Sequence, residues 1–414
     1  MWLGYADVRR TFLILQGPAT PFFLHLARRL RTDGHRVVRV HFCTGDVAYG
    51  TENETLAYRG RVEGLRDWLD AVYRQYEITD QVLFGDRRPV HRPAVAHGEA
   101  CGVRTWVFEE GYFRPHWVTL EREGVNGHSL LPRDPDWFRE VGSRLPEPSG
   151  VVAFRSPFWR RAVHDVLYHL AGLANPVLFP HYQTHAPYSA PLEYAGYLGR
   201  FARLRLIRER EVKRAQAIMA SGVPYYVLPL QLNSDAQIRD HSRFENMEEV
   251  MDHVLASFAR YAPSGSHLVV KNHPLDPGLV NHGRALQAMA RDYDVVGRVD
   301  YLEEGDLVGL LRHARGCVTV NSTSGILALE QGMPTMTLSD PIYNLPGLTF
   351  QGALDAFWQE GGPPDPAFFG CFRRAVIHAT QINGGFYCPS GIRLAVENSV
   401  RVLTADRSPL EVLL

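Results

Sequence analysis

Four times in each half of this chain, a short apolar run ends in glycine or a small polar loop and gives way to amphipathic helical sequence. The first half reads TFLILQG, RVVRVHF, QVLFGD and RTWVFEEG; the second reads YYVLPLQ, HLVVKNHP, CVTVNSTSG and PTMTLSD. Parallel strands cannot be joined by a tight hairpin, so each needs a crossover, most often a helix. Strand and helix patterns alternating in this way predict βαβ units and parallel sheets. The first crossover shows the pattern: in PFFLHLARRLRTDG, Phe22, Phe23, Leu26, Ala27 and Leu30 fall on one helical face, and Gly34 ends the helix.

Between the two sets, from about residue 154 to 214, strand alternation disappears and arginine and aromatic residues become dense, as in SPFWRRAVHDVLYHL and YLGRFARLRLIRERE. A chain of 414 residues is too long for one ordinary core. The expected outline is two facing, nucleotide-binding-like α/β domains: residues 1–215, including the helical basic and aromatic section, and residues 216–390, with a boundary near Gly222. Residues 391–414 form a helical tail expected to pack back on the first domain. No repeat of 20–50 residues and no low-complexity tract suggests another architecture.

The formal net charge of -1 lacks the basic excess of a nucleic-acid binder. The first residues carry no basic segment followed by an apolar run and cleavage site, and no stretch reaches the roughly 18 apolar residues of a spanning helix. Val166 to Phe179 comes nearest and is interrupted by His169 and Asn175. The five cysteines are scattered, without metal-ligand spacing, and point to a reducing cytoplasm.

The chemistry-bearing residues cluster where predicted strands end, the edge at which open α/β sheets bind ligands. In CVTVNSTSGILALEQGMP, Asn321, Ser322, Thr323, Ser324 and Gly325 lie between a strand and a helix. Small residues there expose backbone N–H groups, and a helix N-terminus favours phosphate; an ordinary N-cap run also fits. Glu330, further along that helix, offers a carboxylate to ribose hydroxyls. In HLVVKNHPLD, Lys271 and His273 follow a strand and can reach a leaving phosphate, with Pro274 fixing the turn. In LPLQLNSDAQIRDHSRF, Gln231 and Asp235 follow another; Asp235 fits an Asx turn or cap, and equally a nucleophile forming a glycosyl intermediate. Glu109 and Glu110 leave a strand beside Gly111, with Arg114 nearby. Such a pair is costly unless paired or open to a cleft, so it reads either as a salt bridge to Arg114 or as the source of a general base. Gln16, Gly17 and Pro18 make a strand-to-helix turn suited to phosphate or acceptor binding. Neither G-x-G-x-x-G nor a P-loop occurs, so nicotinamide enzymes and P-loop kinases fit poorly.

Taken in order, FLILQGPATPFF, HRVVRVHFCTGD, FEEGYFRP, VPYYVLPLQLNSDAQIRDHS, VVKNHP, VNSTSG and INGGFYC resemble the capsule polysaccharide biosynthesis proteins of the KpsS/LipB type, bacterial transferases of β-linked Kdo. The resemblance covers most of the chain. It implies an α/β, GT-B-like fold of two facing Rossmann-like domains with a helical middle section. It implies CMP-Kdo as donor, with His273 and Ser322 to Ser324 near the CMP phosphate and Glu109 to Gly111 across the cleft. Asp235 would be the nucleophile of a retaining double displacement, and the acceptor a lysophosphatidylglycerol-type lipid that starts the capsule linker. The implied setting is the cytoplasmic face of the inner membrane, among capsule biosynthesis and export proteins.

Reacting a 2-keto sugar acid requires a cation for its carboxylate, which Arg114 or Lys271 could supply. CMP leaves as a phosphomonoester, so a helix N-terminus and His273 suffice without an obligatory cofactor or metal, and no His/Asp cluster shows metal-ligand spacing. Trp159, Arg160, Arg161, Tyr197, Arg200, Phe201, Arg203 and Arg205 would either contact an anionic membrane or form a solvated face. The competing readings are a CMP-sialic acid or CDP-alditol transferase, a GT-B-type epimerase, and a non-catalytic scaffold of an export complex.

Overall fold

The structure is a computed structural model that describes residues 9–184, 188, 190–233, 238 and 242–414. It divides into two compact units: Met1–Leu131, Leu145–His185 and Arg374–Leu414 form the first, and Pro132–Arg144 with Ala186–Arg373 the second.

In the first unit, β1 (Thr11–Ile14), β2 (Arg36–His41), β3 (Thr55–Ala57), β4 (Asp80–Phe84) and β5 (Arg104–Glu110) are all parallel. β6 (Trp117–Arg122) turns back antiparallel on β5. In the second unit, β7 (Tyr225–Pro229), β8 (His267–Lys271), β9 (Val299–Leu302), β10 (Gly316–Thr319) and β11 (Thr335–Thr337) pair in parallel in the order β11-β10-β7-β8-β9. Late in the chain, β12 (Gln381–Asn383) returns to the first unit and completes the order β12-β6-β5-β4-β1-β2-β3.

Helices cover both faces of each sheet, so the central strands are apolar on both sides. Phe12 and Ile14 of β1 pack into the cluster holding Phe22, Leu26 and Leu30 of the helix Phe22–Thr32, while Leu13 faces Leu65, Leu69 and Ala94. Gly34, at φ +91, follows that first helix where a side chain would be strained. In the second unit Tyr226 and Leu228 join the helix Met247–Tyr261, and Tyr225 and Val227 join Ala215. These are the two α/β, Rossmann-like units of the GT-B-like class.

The division of the chain departs from cuts at 215/216 and 390/391. The 31-residue helix Ala190–Ala220 belongs wholly to the second unit. Ala215 sits in that unit's core, Glu211 accepts from the Glu303 N–H at 2.9 Å, and Arg214 pairs with Asp300 at 2.7 Å. The helical middle is therefore two elements: Phe158–Gly172 goes with the first unit and Ala190–Ala220 with the second. The helix Pro135–Arg144 also joins the second unit, where Gly142 lets it approach the backbone of Cys371. Residues 374–390 join the first, because Gln381 pairs with Thr119 in register and donates to its hydroxyl at 3.0 Å.

The end of the chain is fastened by a buried ionic cluster below β4. Asp80, fully buried, accepts from Arg104 (3.0 Å) and the Trp106 indole (2.9 Å), and lies 3.7 Å from Arg10. Arg10 in turn donates to the carbonyls of Leu403 (3.0 Å) and Ala405 (2.8 Å), holding the end of the helix Pro389–Leu403, which packs on Phe22–Thr32. Removing one partner of a buried pair leaves the other charge uncompensated. Asp80→Ala is therefore expected to destabilise the first unit by about 3–5 kcal/mol, read from urea unfolding.

Candidate functional site

In the second unit, β8 and β9 were added on one side of β7 and β10 on the other. The crossovers leave in opposite directions, so a crevice opens beyond the carboxyl ends of β7 and β10, the switch point at which such sheets hold ligands. Gln231 and Asn321 meet there: the Gln231 amide donates to Asn321 Oδ1 at 3.0 Å, and the Asn321 N–H donates back to Gln231 Oε1 at 3.4 Å. Both are buried, so the pair braces the two strand ends.

Ser322 caps the helix Thr323–Glu330, its hydroxyl accepting from the Ser324 N–H at 3.1 Å. The Ser322 carbonyl accepts from the Tyr343 hydroxyl at 2.6 Å, and a Cβ on Gly325 would overlap that hydroxyl. The glycine thus makes room for the tyrosine that fixes the loop. Glu330 lies at the last position of the helix, about 10 Å along its axis from Thr323. It stands a helix length beyond the loop, and burial raises its pKa.

On the other side of β7, the turn after β8 is clamped from above. Arg200, 4% exposed, donates to the carbonyls of Pro274 (2.8 Å), Asp276 (2.6 Å) and His273 (3.2 Å). His273 Nδ1 accepts from the Leu275 N–H at 3.1 Å, so a neutral ring carries its proton on Nε2. Lys271 turns inward, donating to the Asn272 carbonyl at 2.9 Å and reaching that of Glu303 at 3.4 Å; burial lowers its pKa. It ties strand ends together and does not present a cation to a sugar carboxylate. Arg200 is likewise spent within the unit, whereas Arg203, which pairs with Glu303, and Arg205 are exposed. Asp235 lies outside the described residues.

The first unit has its own switch point, between β1 and β4. Gln16 is buried, its amide donating to the hydroxyls of Tyr168 (3.1 Å) and Tyr182 (3.2 Å) and approaching Asp46 (3.4 Å). Asp46 also accepts from the Phe42 and Cys43 N–H groups and from Tyr168. Gln16 therefore anchors the helix Phe158–Gly172, which corrects its expected role as a substrate contact. The Gly17 carbonyl accepts from Arg88 at 2.8 Å, and a Cβ on Gly17 would press into the Phe23 ring.

At the end of β5, Glu109 and Glu110 have different surroundings. Glu109 Oε1 accepts from the Glu110 N–H at 2.9 Å. Glu110 Oε1 accepts from the Tyr387 hydroxyl at 2.7 Å, with Arg161 at 3.5 Å and its guanidinium 4.7 Å above the Tyr387 ring. Burial, then the Glu110 charge, raises the Tyr387 pKa well above its ordinary value, so the phenol stays protonated and donates. Arg161, not Arg114, is the cation at Glu110; Arg114 is exposed, just before the cis peptide bond to Pro115. Glu110 thus stands at a strand's carboxyl end with a neutral phenol donor and a half-exposed cation beside it, the position from which a carboxylate can accept a proton.

The capsule polysaccharide biosynthesis protein model matches residues 79–387, a span that begins just before β4 and ends on Tyr387. The capsule polysaccharide export protein KpsS of Escherichia coli is 35% identical over 91% of this chain and 97% of its own. The capsule polysaccharide modification protein LipB of Neisseria meningitidis serogroup B is 34% identical over 91% of each. The chain belongs to the capsule polysaccharide biosynthesis family. Among solved structures, the β-Kdo 2,7 transferase KpsC of Thermosulfurimonas dismutans aligns over 95% of this chain and 100% of that one, at 12% identity and a TM-score of 0.44.

Three features of this family member escape sequence reasoning. Tyr387 is 277 positions from Glu110, Arg161 is 51 away, and Arg200 reaches a turn more than 70 residues on. The INGGFYC segment and the arginine-rich middle were the only signals. In addition, His97 and Cys101 on the helix His91–Cys101 and Asp70 on Leu65–Tyr76 bring ligand atoms within 4.8 Å of one another, a grouping that scattered cysteines do not reveal. Asp70 is paired with Arg74 at 2.5 Å, and the trio sits on covering helices, not on strand-end loops.

Arg200→Ala strips the 273–276 turn of its three charge-assisted bonds. The expected loss is about 1.5–3 kcal/mol in the second unit, measured by urea unfolding.

Proposed function

We propose that this protein is a glycosyltransferase that moves β-Kdo from CMP-Kdo to a lysophosphatidylglycerol-type lipid at the cytoplasmic surface of the inner membrane, starting the capsule linker. The observation that carries the reading is family membership joined to the placement of motifs: the Asn321–Gly325 loop and the His273 turn flank β7 at one sheet edge. The chain leaves β7 through Leu230 to Asn233, and Asp235 follows two positions later in the sequence.

The second unit holds the donor. The N-terminus of Thr323–Glu330 faces the CMP phosphate with N–H groups and a positive dipole end, and His273, protonated on Nε2, donates to the departing oxygen. The Asp235 carboxylate attacks the anomeric carbon as the bond to CMP breaks, giving a covalent glycosyl intermediate and free CMP. The first unit serves the acceptor. Glu110 takes the proton of the lipid hydroxyl as its oxygen attacks the same carbon and releases Asp235, so two inversions give net retention. Tyr387 and Arg161 hold the Glu110 carboxylate in place for that step.

Purified protein incubated with CMP-Kdo and a fluorescent lysophosphatidylglycerol should give a product heavier by one Kdo and β-linked. Asp235→Ala should abolish transfer, and Glu110→Gln should slow it by about 10²–10⁴-fold. An inverted product would refute the nucleophile. Transfer only from CMP-sialic acid or CDP-glycerol would refute the donor. Full function in a capsule-export assay despite loss of both carboxylates would leave the scaffold reading.

A further inference from the structure

The helix Phe158–Gly172 and the short helix Asn175–Leu178 after it have no fully buried residue, yet they are strongly two-sided. The inner side carries the polar groups. Arg161 reaches Glu110, Tyr49 donates to the His164 carbonyl at 2.9 Å, Tyr168 meets Asp46, and Asn175 accepts from the Thr44 N–H at 2.8 Å. The outer side is Trp159, Val163, Leu167, Leu170, Leu173 and Val177, spaced at three and four residues and each between 47% and 83% exposed. At 100° per residue these side chains, up to Leu173, fill an arc of about 120°. No charged residue lies within it. Asp165 falls outside the arc and pairs with His169.

We infer that this stripe is a bilayer-docking face, seating the protein on an anionic membrane with the helix in the plane of the interface. Apolar side chains displayed in so continuous a row signal a partner, and the cations that border the row select an anionic bilayer. Arg160 stands at the edge of the arc with its guanidinium 4.9 Å over the Trp159 ring, and Arg155 is exposed just before the helix, so the cations border the apolar face as in interfacial helices. The stripe from Trp159 to Leu173 is about 21 Å long on a helix about 10 Å wide. Among the described residues no helix is long and apolar enough to cross a membrane, so attachment through them is by a surface.

The inference deepens the lipid-acceptor reading and rests on it for its purpose. The helix that touches lipid on one side delivers Arg161 to Glu110 on the other, so an acceptor headgroup would be handed from the membrane to the base across a single helix diameter.

The test is co-sedimentation of the full chain with phosphatidylethanolamine vesicles containing roughly one third phosphatidylglycerol, an anionic lipid whose surface attracts basic side chains, and with phosphatidylcholine vesicles. The wild type should pellet with the anionic vesicles. Leu167→Glu/Leu170→Glu should weaken binding at least tenfold with an unchanged thermal midpoint, and Leu170→Ser, milder toward folding, should weaken it in the same direction. Wild type that stays in the supernatant, or variants that bind equally well, would overturn the inference. So would a dimer in gel filtration that the double variant dissolves. No donor is present, so this result is independent of the transfer reaction. If docking holds and transfer to a lipid fails, the proposed function falls and the surface stands.

Discussion

A parallel strand whose neighbours were laid down on opposite sides leaves a gap beyond its carboxyl end that no crossover helix fills. β1 and β7 are the two such strands here, and almost every group given a role lies at or beside one of these gaps. At β7 the gap is kept open by polar braces: Gln231 with Asn321 across the strand ends, Tyr343 under the Ser322 loop, and Arg200 over the His273 turn. Each brace is buried or nearly so, where an unpaired partner would cost more than the bond returns. The loops are thereby set before any ligand arrives, which is what electrostatic stabilisation of a leaving phosphate requires.

Much of this was legible in the chain itself. Alternating apolar runs and amphipathic helices yielded the parallel sheets, and the buried face of Phe22–Thr32 followed from spacing alone. The loops at Glu110, His273 and Ser322 could be found because small, polar and charged residues directly after a buried strand are costly unless they serve an edge. Sequence reasoning failed where a residue's meaning comes from a distant partner. Gln16 looks like a ligand group by position, yet two tyrosines from the helical middle and Asp46 surround its amide. Lys271 looks like a free cation, yet neighbouring carbonyls turn it inward. The boundary at 215/216 failed for a related reason. Helical periodicity shows that Ala190–Ala220 is a helix but not which sheet it covers, and Ala215, Glu211 and Arg214 settle that only in three dimensions.

The middle of the chain inverts the sequence-based picture most clearly. Its arginines suggested a charged outer face; Arg200 is instead buried over the His273 turn, while Arg161 and Arg203 stay partly exposed as they pair with Glu110 and Glu303. Apolar residues of the helix Phe158–Gly172 are turned outward instead. His169 of that helix pairs with Asp165, and Asn175, which opens the short helix after it, accepts from the Thr44 N–H; these two residues interrupt the longest apolar stretch of the sequence. One helix therefore carries two incompatible surfaces, and its polar side is anchored by the hydrogen bonds that define the β1 switch point.

The claim on which the rest depends is that the β7/β10 gap binds the nucleotide of a cytidine-activated sugar. Calorimetric titration of the full chain with CMP measures this directly, without acceptor, membrane or turnover. Saturable binding at one site is expected, weakened at least tenfold by Gln231→Ala, which removes the brace between the strand ends, and by Gly325→Val, which drives the Tyr343 hydroxyl off the Ser322 loop. Absence of binding by the wild type, or affinity untouched by both substitutions, would contradict it.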